Sequence, residues 1–196
     1  ATRVNASQLI EKGRENLILQ SNQFDTTWNN VNTSVTSGQS GYDGSSDAWL
    51  LNSSGASSLR QAPTFDNVGT FSMYAKAGSL NFVLLYINYS GGTDTQAYFD
   101  LSSGSVGTTI AAIDAKITSV GVNGWYRCEV SFNCPAPLFD IRIVNSISDG
   151  TAGTGTIYIQ DAQLESSLVA TPYIETGASS AQAGILENTP RFDYSG

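Results

Sequence analysis

Short runs in which hydrophobic and polar residues alternate recur along this chain, with clusters of Gly, Ser, Asn and Asp between them. The clearest are residues 70–77, 125–132 and 139–144, where apolar side chains occupy every second position. A period of two is typical of a strand that buries one face and exposes the other. We therefore expect about nine or ten short strands at intervals of about 8–12 residues, and no long helix.

The remaining predicted strands are shorter or less regular, and one segment has a different pattern. In residues 7–14, Ser7 precedes Glu11 at a spacing close to that of a helix cap, which favours a short helix, although Gly13 weakens it. Residues 111–120 suit a helix or a strand, and we favour a strand at 115–119. The other predicted strands are residues 17–19, 31–36, 48–51, 59–62, 81–89, 96–101 and 156–165.

This pattern predicts an all-β fold, a jelly-roll β-sandwich of two antiparallel sheets. We divide the chain into a leader at residues 1–15, a sandwich at residues 16–175, and a C-terminal linker or extension at residues 176–196. The chain begins Ala1-Thr2-Arg3, with neither Met nor a signal peptide, which indicates a piece of a longer polypeptide.

Composition and charge exclude several classes of function. The 196 residues contain no His, which removes His-dependent triads, dyads and zinc sites. With 9 basic against 17 acidic residues and a net charge of −8, no binding to nucleic acid is expected. Because no apolar run approaches ~20 residues, no membrane insertion is expected either.

The two cysteines, Cys128 and Cys134, are six residues apart. On one strand they would lie about 20 Å apart, at ~3.3 Å per residue, which is too far for a disulfide. We favour two free, buried thiols. The alternative is a disulfide, which requires the strand to end and turn near Asn133.

Several phrases of the sequence are familiar as a set. They are SNQF at 21–24, FSMYAKAG at 71–78, GWYRC at 124–128 and IYIQDAQLE at 157–165. Together they resemble the carbohydrate-binding modules (CBMs) of the family 4/9/22-like jelly-roll group, and more closely the version found in bacteriophage and prophage virion proteins. The two ends of the chain resemble the joints between modules in such phage proteins.

The resemblance implies a two-sheet sandwich with a concave face that binds a polysaccharide or oligosaccharide through stacked aromatic and polar side chains. It also implies a module without catalysis, at an extracellular or virion surface, attached to other modules or subunits. In such modules a structural calcium commonly lies near an aspartate of the last strand, at the position matching Asp161. Asp47, in a loop rich in Gly and Ser, is a second candidate ligand, because calcium takes 6–8 oxygen ligands. The alternative is that Asp161 only accepts backbone hydrogen bonds.

Sugar recognition needs flat aromatic faces for the C–H bonds of the ring and planar polar groups for adjacent hydroxyls. Trp125 and Arg127 share one face of a predicted strand, and because Arg is rarely in a core, that face is a groove or plain solvent-exposed surface. Parity also separates Tyr74 and Lys76 from the apolar face of their strand. We select as candidate ligand-binding residues Trp49, Tyr74, Lys76, Phe82, Tyr86, Trp125, Arg127 and Gln163.

Two functions remain open at this point. The first is a non-catalytic CBM that recognises a polysaccharide on a concave sheet face, as part of a phage virion or tail protein. The second is a structural or assembly module of a virion with no sugar ligand. An enzyme is not expected, because the spacing of the carboxylates places no two of them across a cleft. The net charge favours a neutral or basic glycan over a sulfated or uronic one.

Overall fold

All regular structure in the described part of the chain is β-strand. The computed structural model describes residues 2–4, 10–12, 14–65, 68–121, 123–134 and 138–183. Within these residues no helix is long and apolar enough to cross a membrane. The strands are β1 (Thr2–Val4), β2 (Ile10–Lys12), β3 (Arg14–Asn16), β4 (Asn29–Gln39), β5 (Ala48–Gln61), β6 (Val68–Ala77), β7 (Phe82–Asn88), β8 (Thr95–Asp100), β9 (Ser105–Ile110), β10 (Asp114–Val120), β11 (Trp125–Asn133), β12 (Leu138–Val144), β13 (Thr154–Glu165) and β14 (Ala181–Ala183).

Ten of these strands form one continuous, curved antiparallel sheet. Its order is β10-β11-β6-β13-β5-β12-β7-β8-β9, and β4 also pairs with β5. The terminal strands β9 and β10 approach each other, so the sheet is bent into a nearly closed sandwich. The predicted jelly-roll β-sandwich is thereby confirmed as the fold class.

The long strand β5 divides the sandwich into two sheets. Its residues 49–54 pair with β13, and its residues 59–61 pair with β12. We call β10, β11, β6, β13 and the first part of β5 the first sheet. The second sheet consists of the last part of β5 with β12, β7, β8 and β9.

The core lies between the inner faces of these two sheets. The ring of Phe139 in β12 lies 5.3 Å from that of Phe71 in β6 and 5.5 Å from that of Phe132 in β11. Val83 and Leu85 of β7 are completely buried in the same cluster. Each large apolar side chain buried in this way contributes about 1.5–3 kcal/mol, so the strict alternation of these strands accounts for the sandwich.

Most of the predicted strands are present, several with longer bounds. The strands predicted at 31–36, 70–77, 81–89, 96–101, 115–119, 125–132, 139–144 and 156–165 correspond to β4, β6, β7, β8, β10, β11, β12 and β13. The segments 48–51 and 59–62 are two parts of the single strand β5, because the polar residues between them also pair with β4.

Three predictions about local structure are wrong or incomplete. Residues 17–19 are not a strand, since Leu17 donates its backbone N–H to Leu164 in an irregular segment. The helix predicted at residues 7–14 is replaced by β2 and the start of β3, while Ser7 and Gly13 lie outside the described residues. Strand β9 was not predicted, because its Ser, Gly and Thr residues lack an apolar face.

Strand β3 and the C-terminal described segment lie against the sandwich. Strand β14 pairs with β3, and the Thr176 hydroxyl donates to the Ile18 carbonyl at 2.6 Å. The three-part division of the chain stays a prediction, and residues 184–196 lie outside the described part. Cys128 and Cys134 are free and buried, as expected. Burial raises the pKa of the Cys128 thiol, which makes it an unreactive part of the core.

Candidate functional site

The predicted ligand-binding residues are distributed over three places, and five of them share the outer face of the first sheet. Trp125 pairs with Lys76, and Arg127 pairs with Tyr74, across β11 and β6. Gln163 lies on the neighbouring strand β13. Residues that pair directly have side chains on the same face of a sheet. The parity argument for Trp125 and Arg127 is therefore correct.

This outer face is covered at one end by loop 40–47. The ring of Tyr42 stacks on that of Tyr74, with centroids 3.8 Å apart and planes inclined by 7°. Trp125 lies beside this stack and is only 1% exposed. The expectation that Trp125 occupies an exposed face is wrong, because a loop distant in sequence folds over it. Tyr74 is buried for the same reason.

The rest of the face is covered by segment 166–176. Arg127 donates to the Thr171 carbonyl at 2.7 Å, and its guanidinium lies 5.5 Å from the Tyr74 ring centroid. Gln163 is completely buried, and its Oε1 accepts the Ile174 N–H at 2.7 Å. The expected open groove on this sheet is therefore occupied by the chain itself. In this structure Arg127 and Gln163 hold the covering segment in place.

Two further candidates, Trp49 and Lys76, also contact other parts of the protein. Trp49 is in the core, where its indole N–H donates to the Asn22 carbonyl at 3.0 Å. The prediction that Trp49 lines a binding groove is therefore wrong, because Trp49 lies on the inner face of β5. Lys76 is half-buried, with its ammonium 5.8 Å from the Tyr158 ring centroid.

Asp161 forms an acidic corner beneath loop 40–47 on β13, the strand between β6 and β5. It lies in a bulge of β13, at a φ of 55°, so it is not in phase with Ile157 as the alternation predicts. Its carboxylate accepts the Tyr42 hydroxyl at 2.9 Å. Burial, with the charges of Asp47 and Asp43, raises the pKa of Asp161 to about 7. The side chain is thus a carboxyl for which ionisation is costly.

The donors around this corner are of the type that calcium prefers. Gln160 donates to Asp47 Oδ1 at 2.7 Å and accepts the Tyr42 backbone N–H at 3.1 Å. Carboxylate, amide and hydroxyl oxygens are hard ligands, which fit calcium chemically. Within the described residues, however, no three acidic, His or Cys side chains lie together as a preformed metal site. The acidic corner therefore matches calcium in its negative charge and in the type of its oxygen donors, but not in the arrangement of those donors.

The outer face of the second sheet carries a different arrangement. One row of directly paired residues crosses four strands, from Arg60 in β5 through Asp140 in β12 and Tyr86 in β7 to Gln96 in β8. All four side chains point to the same face, because cross-strand partners do so. The row combines an aromatic ring with three planar polar groups.

Arg142, the residue two positions after Asp140, completes this row. Its guanidinium lies 3.6 Å from the Tyr86 ring centroid, and its Nε donates to Asp140 Oδ2 at 3.0 Å. Asp140 is completely buried beneath it. Burial raises the pKa of Asp140, although the neighbouring Arg142 and Arg60 oppose that effect. The stack on Tyr86 and the ion pair together hold the Arg142 guanidinium flat on the sheet.

The remaining side chains of this face are also fixed by hydrogen bonds. The Tyr86 hydroxyl donates to Asp94, and the Tyr98 hydroxyl donates to Gln96 at 2.7 Å. Phe82 is half-buried and packs against a small cluster formed by Leu84, Tyr98 and Val144. Phe82 and Tyr86 thus lie on the face of β7 opposite to Val83, Leu85 and Ile87, which are buried in the core between the sheets.

Two depressions lie along this face on either side of Arg60. The first, of about 280 Å³, is lined by Val31, Ser58, Arg60, Arg142 and Val144 among others. The second, of about 300 Å³, is lined by Arg60, Asn29, Thr27, Pro63 and Leu138 among others. Arg60 belongs to both, so we treat them as one groove, the Arg60 groove.

Sequence reasoning identified only Tyr86 and Phe82 on this face. Arg60, Asp140, Arg142 and Gln96 were missed, because their alignment on one face arises from the pairing of neighbouring strands. A usable signal was present, since Asp140 and Arg142 alternate with Phe139, Ile141 and Ile143. Charged residues at every second position of an otherwise apolar strand indicate that one face of the strand lies outside the core.

No model of a known protein family matches the chain, and no curated protein matches it. Several solved structures are similar, and two of them are named below. One is the CBM22-1–GH10 part of endo-1,4-β-D-xylanase 10B from Clostridium thermocellum, complexed with xylohexaose. It is 13% identical, with a TM-score of 0.45, over 77% of this chain and 27% of that one. The other is the enzymatically active domain of tailspike protein 4 from bacteriophage CBA120. It is 14% identical, with a TM-score of 0.43, over 76% of this chain and 21% of that one. The chain thus spans about a quarter of each, and likenesses of this extent say nothing about what it binds.

Proposed function

We propose that this protein is a non-catalytic module that binds a polysaccharide on the outer face of its second sheet. The observation that carries the proposal is the row Arg60–Asp140–Tyr86–Gln96, with Arg142 stacked on Tyr86. An extended row of planar polar groups on a sheet suits a ligand with many hydroxyls at regular spacing. Binding of one sugar unit is weak, because its hydroxyls must be desolvated, so several units contribute together.

The Arg142 guanidinium is the most precisely positioned group of this row. It is held flat by the Tyr86 ring below it and by the Asp140 carboxylate beside it. A fixed guanidinium offers parallel N–H donors that match two adjacent hydroxyls, and little side-chain entropy remains to be lost on binding. Its side chain is one-third exposed, so these donors are accessible from solvent.

A binding role is favoured over catalysis because the carboxylates of this face are already engaged. Asp140 is completely buried and paired with Arg142. Asp94 accepts hydrogen bonds from Tyr86, from Asn88 and from the Tyr89 backbone. A glycosidase needs one carboxyl free to protonate the leaving group and a second free to attack or to activate water.

The proposal includes a structural calcium at the acidic corner, with Asp161 and Asp47 as ligands. Its support is the set of oxygen donors joined by hydrogen bonds around Gln160 and Tyr42, together with the charges of Asp47 and Asp43 that act on the buried Asp161. A cation there offsets this repulsion and locks loop 40–47 onto the first sheet. The proposed location, an extracellular or virion surface, agrees with a module that binds polysaccharides outside the cell.

The alternative function, a structural module of a virion, is favoured by strand β4. This strand of 11 residues is rich in Ser, Thr and Asn and is largely exposed. Among the described strands it pairs only with β5, so its other edge is open to another chain. A module that assembles through this edge needs no ligand on the outer face of the second sheet.

Affinity electrophoresis against a panel of soluble polysaccharides distinguishes the two functions. The test variant is Tyr86→Ala combined with Gln96→Ala, which removes two of the side chains that form the row. The matched control is Lys76→Ala on the first sheet, a half-buried cation away from the row. Thermal unfolding confirms that all three proteins are folded.

The binding proposal expects at least one polysaccharide to retard the wild type and the Lys76 variant but not the double variant. If no polysaccharide of the panel retards the folded wild type, the proposal is wrong. Equal retardation of wild type and double variant places the site elsewhere and also contradicts it.

A further inference from the structure

The charge of the Arg60 groove is opposite to that of the whole protein. Acidic residues outnumber basic ones by 17 to 9. Among the described residues that line the groove, however, the charged ones are Arg60 and Arg142, and no Asp or Glu is included. Asp140 lies beneath the surface and neutralises Arg142. The charge without an ion-pair partner that lines the groove itself is therefore that of Arg60, while Asp94 lies further along the face beside Tyr86.

Arg60 has donors without partners. Within the part of the chain that the structure describes, its Nε makes no hydrogen bond, a property that it shares with the Nε of Arg127. Among the same residues the arginine–carboxylate ion pairs are Arg127 with Glu129 and Arg142 with Asp140, and Arg60 is in neither. The Arg60 side chain is half-buried and lines both depressions, so part of its guanidinium faces the groove. A charged donor that lacks an acceptor within the protein favours a ligand that supplies one.

The position of Arg60 suits a ligand that extends along the groove. It lies at the start of the row, opposite Asp140 on β12 and Asn29 on β4. The depressions on its two sides give room for a sugar unit before and after the one that it meets. A guanidinium recognises planar or tetrahedral anions through two parallel N–H bonds, which a neutral hydroxyl does not fully use.

We propose that the Arg60 groove takes an acidic polysaccharide, with an anionic group on one sugar unit bound by the Arg60 guanidinium. The inference rests on the proposed function and specifies its ligand class. It reverses the expectation from net charge, which favours neutral or basic glycans. That expectation treats all charges alike, but beyond ~8 Å exposed charges are screened at physiological salt, whereas a partly buried arginine in contact is not. The anionic group is a carboxylate, as in a uronic acid, or a sulfate ester.

Isothermal titration with three polysaccharides tests the inference. Polygalacturonate supplies carboxylates, dextran sulfate supplies sulfates, and dextran supplies hydroxyls alone. The variants are Arg60→Gln, which removes the charge, and Arg60→Lys, which keeps the charge but not the paired donors. Lys76→Gln removes the same charge from the other sheet and is the matched control. Thermal unfolding of each variant confirms the fold.

We expect one of the acidic polymers to bind and dextran not to bind at the same concentration. Arg60→Gln weakens that binding by about tenfold or more, Arg60→Lys weakens it less, and Lys76→Gln leaves it unchanged. The acidic polymer that binds identifies the anionic group.

Two results would overturn the inference, and they differ in what else they affect. Binding of a neutral polysaccharide that is insensitive to Arg60→Gln refutes the acidic ligand but leaves the polysaccharide-binding function intact. Equal weakening by Lys76→Gln shows a non-specific charge effect and refutes it as well. Absence of binding to any polysaccharide, neutral or acidic, removes the proposed function itself and the inference with it.

Discussion

Replacing Asp161 with Asn tests whether one buried carboxyl destabilises the sandwich at neutral pH. In the folded protein the pKa of this side chain is raised from 3.8 to about 7, chiefly by burial and then by Asp47 and Asp43. At about 1.4 kcal/mol per pH unit, that difference corresponds to about 4 kcal/mol. Asn is a suited replacement because it tolerates the φ of 55° and still accepts the Tyr42 hydroxyl.

Whether stability rises or falls with pH depends on which state, folded or unfolded, keeps the Asp161 proton. Between pH 4 and pH 7 the folded protein keeps the Asp161 proton, whereas the unfolded chain releases it. Stability from this group is therefore complete below about pH 4, decreases as the pH rises, and is lost above about pH 7. The neutral Asn side chain does not titrate. The variant should thus match the wild type at low pH and exceed it at pH 8.

Thermal unfolding in EDTA, followed by circular dichroism from pH 4 to pH 8, measures this difference. At pH 8 we expect the Asp161→Asn variant to be more stable by up to about 4 kcal/mol, or about 10 °C in Tm. The exposed Asp25, changed to Asn, serves as a control for the loss of one carboxylate from the surface. A difference that does not depend on pH, or a variant less stable than the wild type at pH 8, would refute the reasoning.

Three further predictions concern the first sheet. Trp125→Ala should lower the free energy of unfolding by about 3–5 kcal/mol in urea titrations, because it leaves a cavity beneath loop 40–47. Tyr42→Phe should keep the stack on Tyr74, whereas Tyr42→Ala should lose about 1 kcal/mol or more, and unfolding midpoints of the two variants distinguish them. Adding Ca²⁺ at pH 8 should raise the Tm of the wild type but not of Asp161→Asn, and equal shifts in both proteins would contradict the calcium proposal.

The fold could be predicted from the sequence because the residues that alternate as apolar within a strand are the ones that are buried in the core. In β6 and β11 every second residue is apolar and buried, so the strand, its inner face and its neighbours follow from one rule. The rule fails where a strand lacks an apolar face, as in β9, or where a bulge changes the phase, as at Asp161. Both exceptions depend on pairing with other strands, which the pattern of a single strand does not contain.

The candidate site was only partly accessible, because parity determines which side of a sheet a residue faces but not what covers that side. Trp125 and Arg127 were correctly placed on one outer face. That this face lies beneath loop 40–47 and segment 166–176 depends on contacts between residues far apart in sequence, such as Arg127 with Thr171. No spacing within β11 indicates such a contact.

The two outer faces differ in how many of their polar groups are already bonded within the chain. On the first sheet, the Arg127 Nη2 and the Gln163 amide are hydrogen-bonded to segment 166–176, although the buried Arg127 Nε has no hydrogen-bond partner within the described residues. A ligand there must first displace bonds within the chain and gains only their replacement. On the second sheet, the half-buried Arg60 side chain forms no hydrogen bond or ion pair within the described residues. A ligand that bonds to the accessible part of its guanidinium displaces no bond within the chain, so the same chemistry contributes more to binding on this face than on the face that carries Trp125.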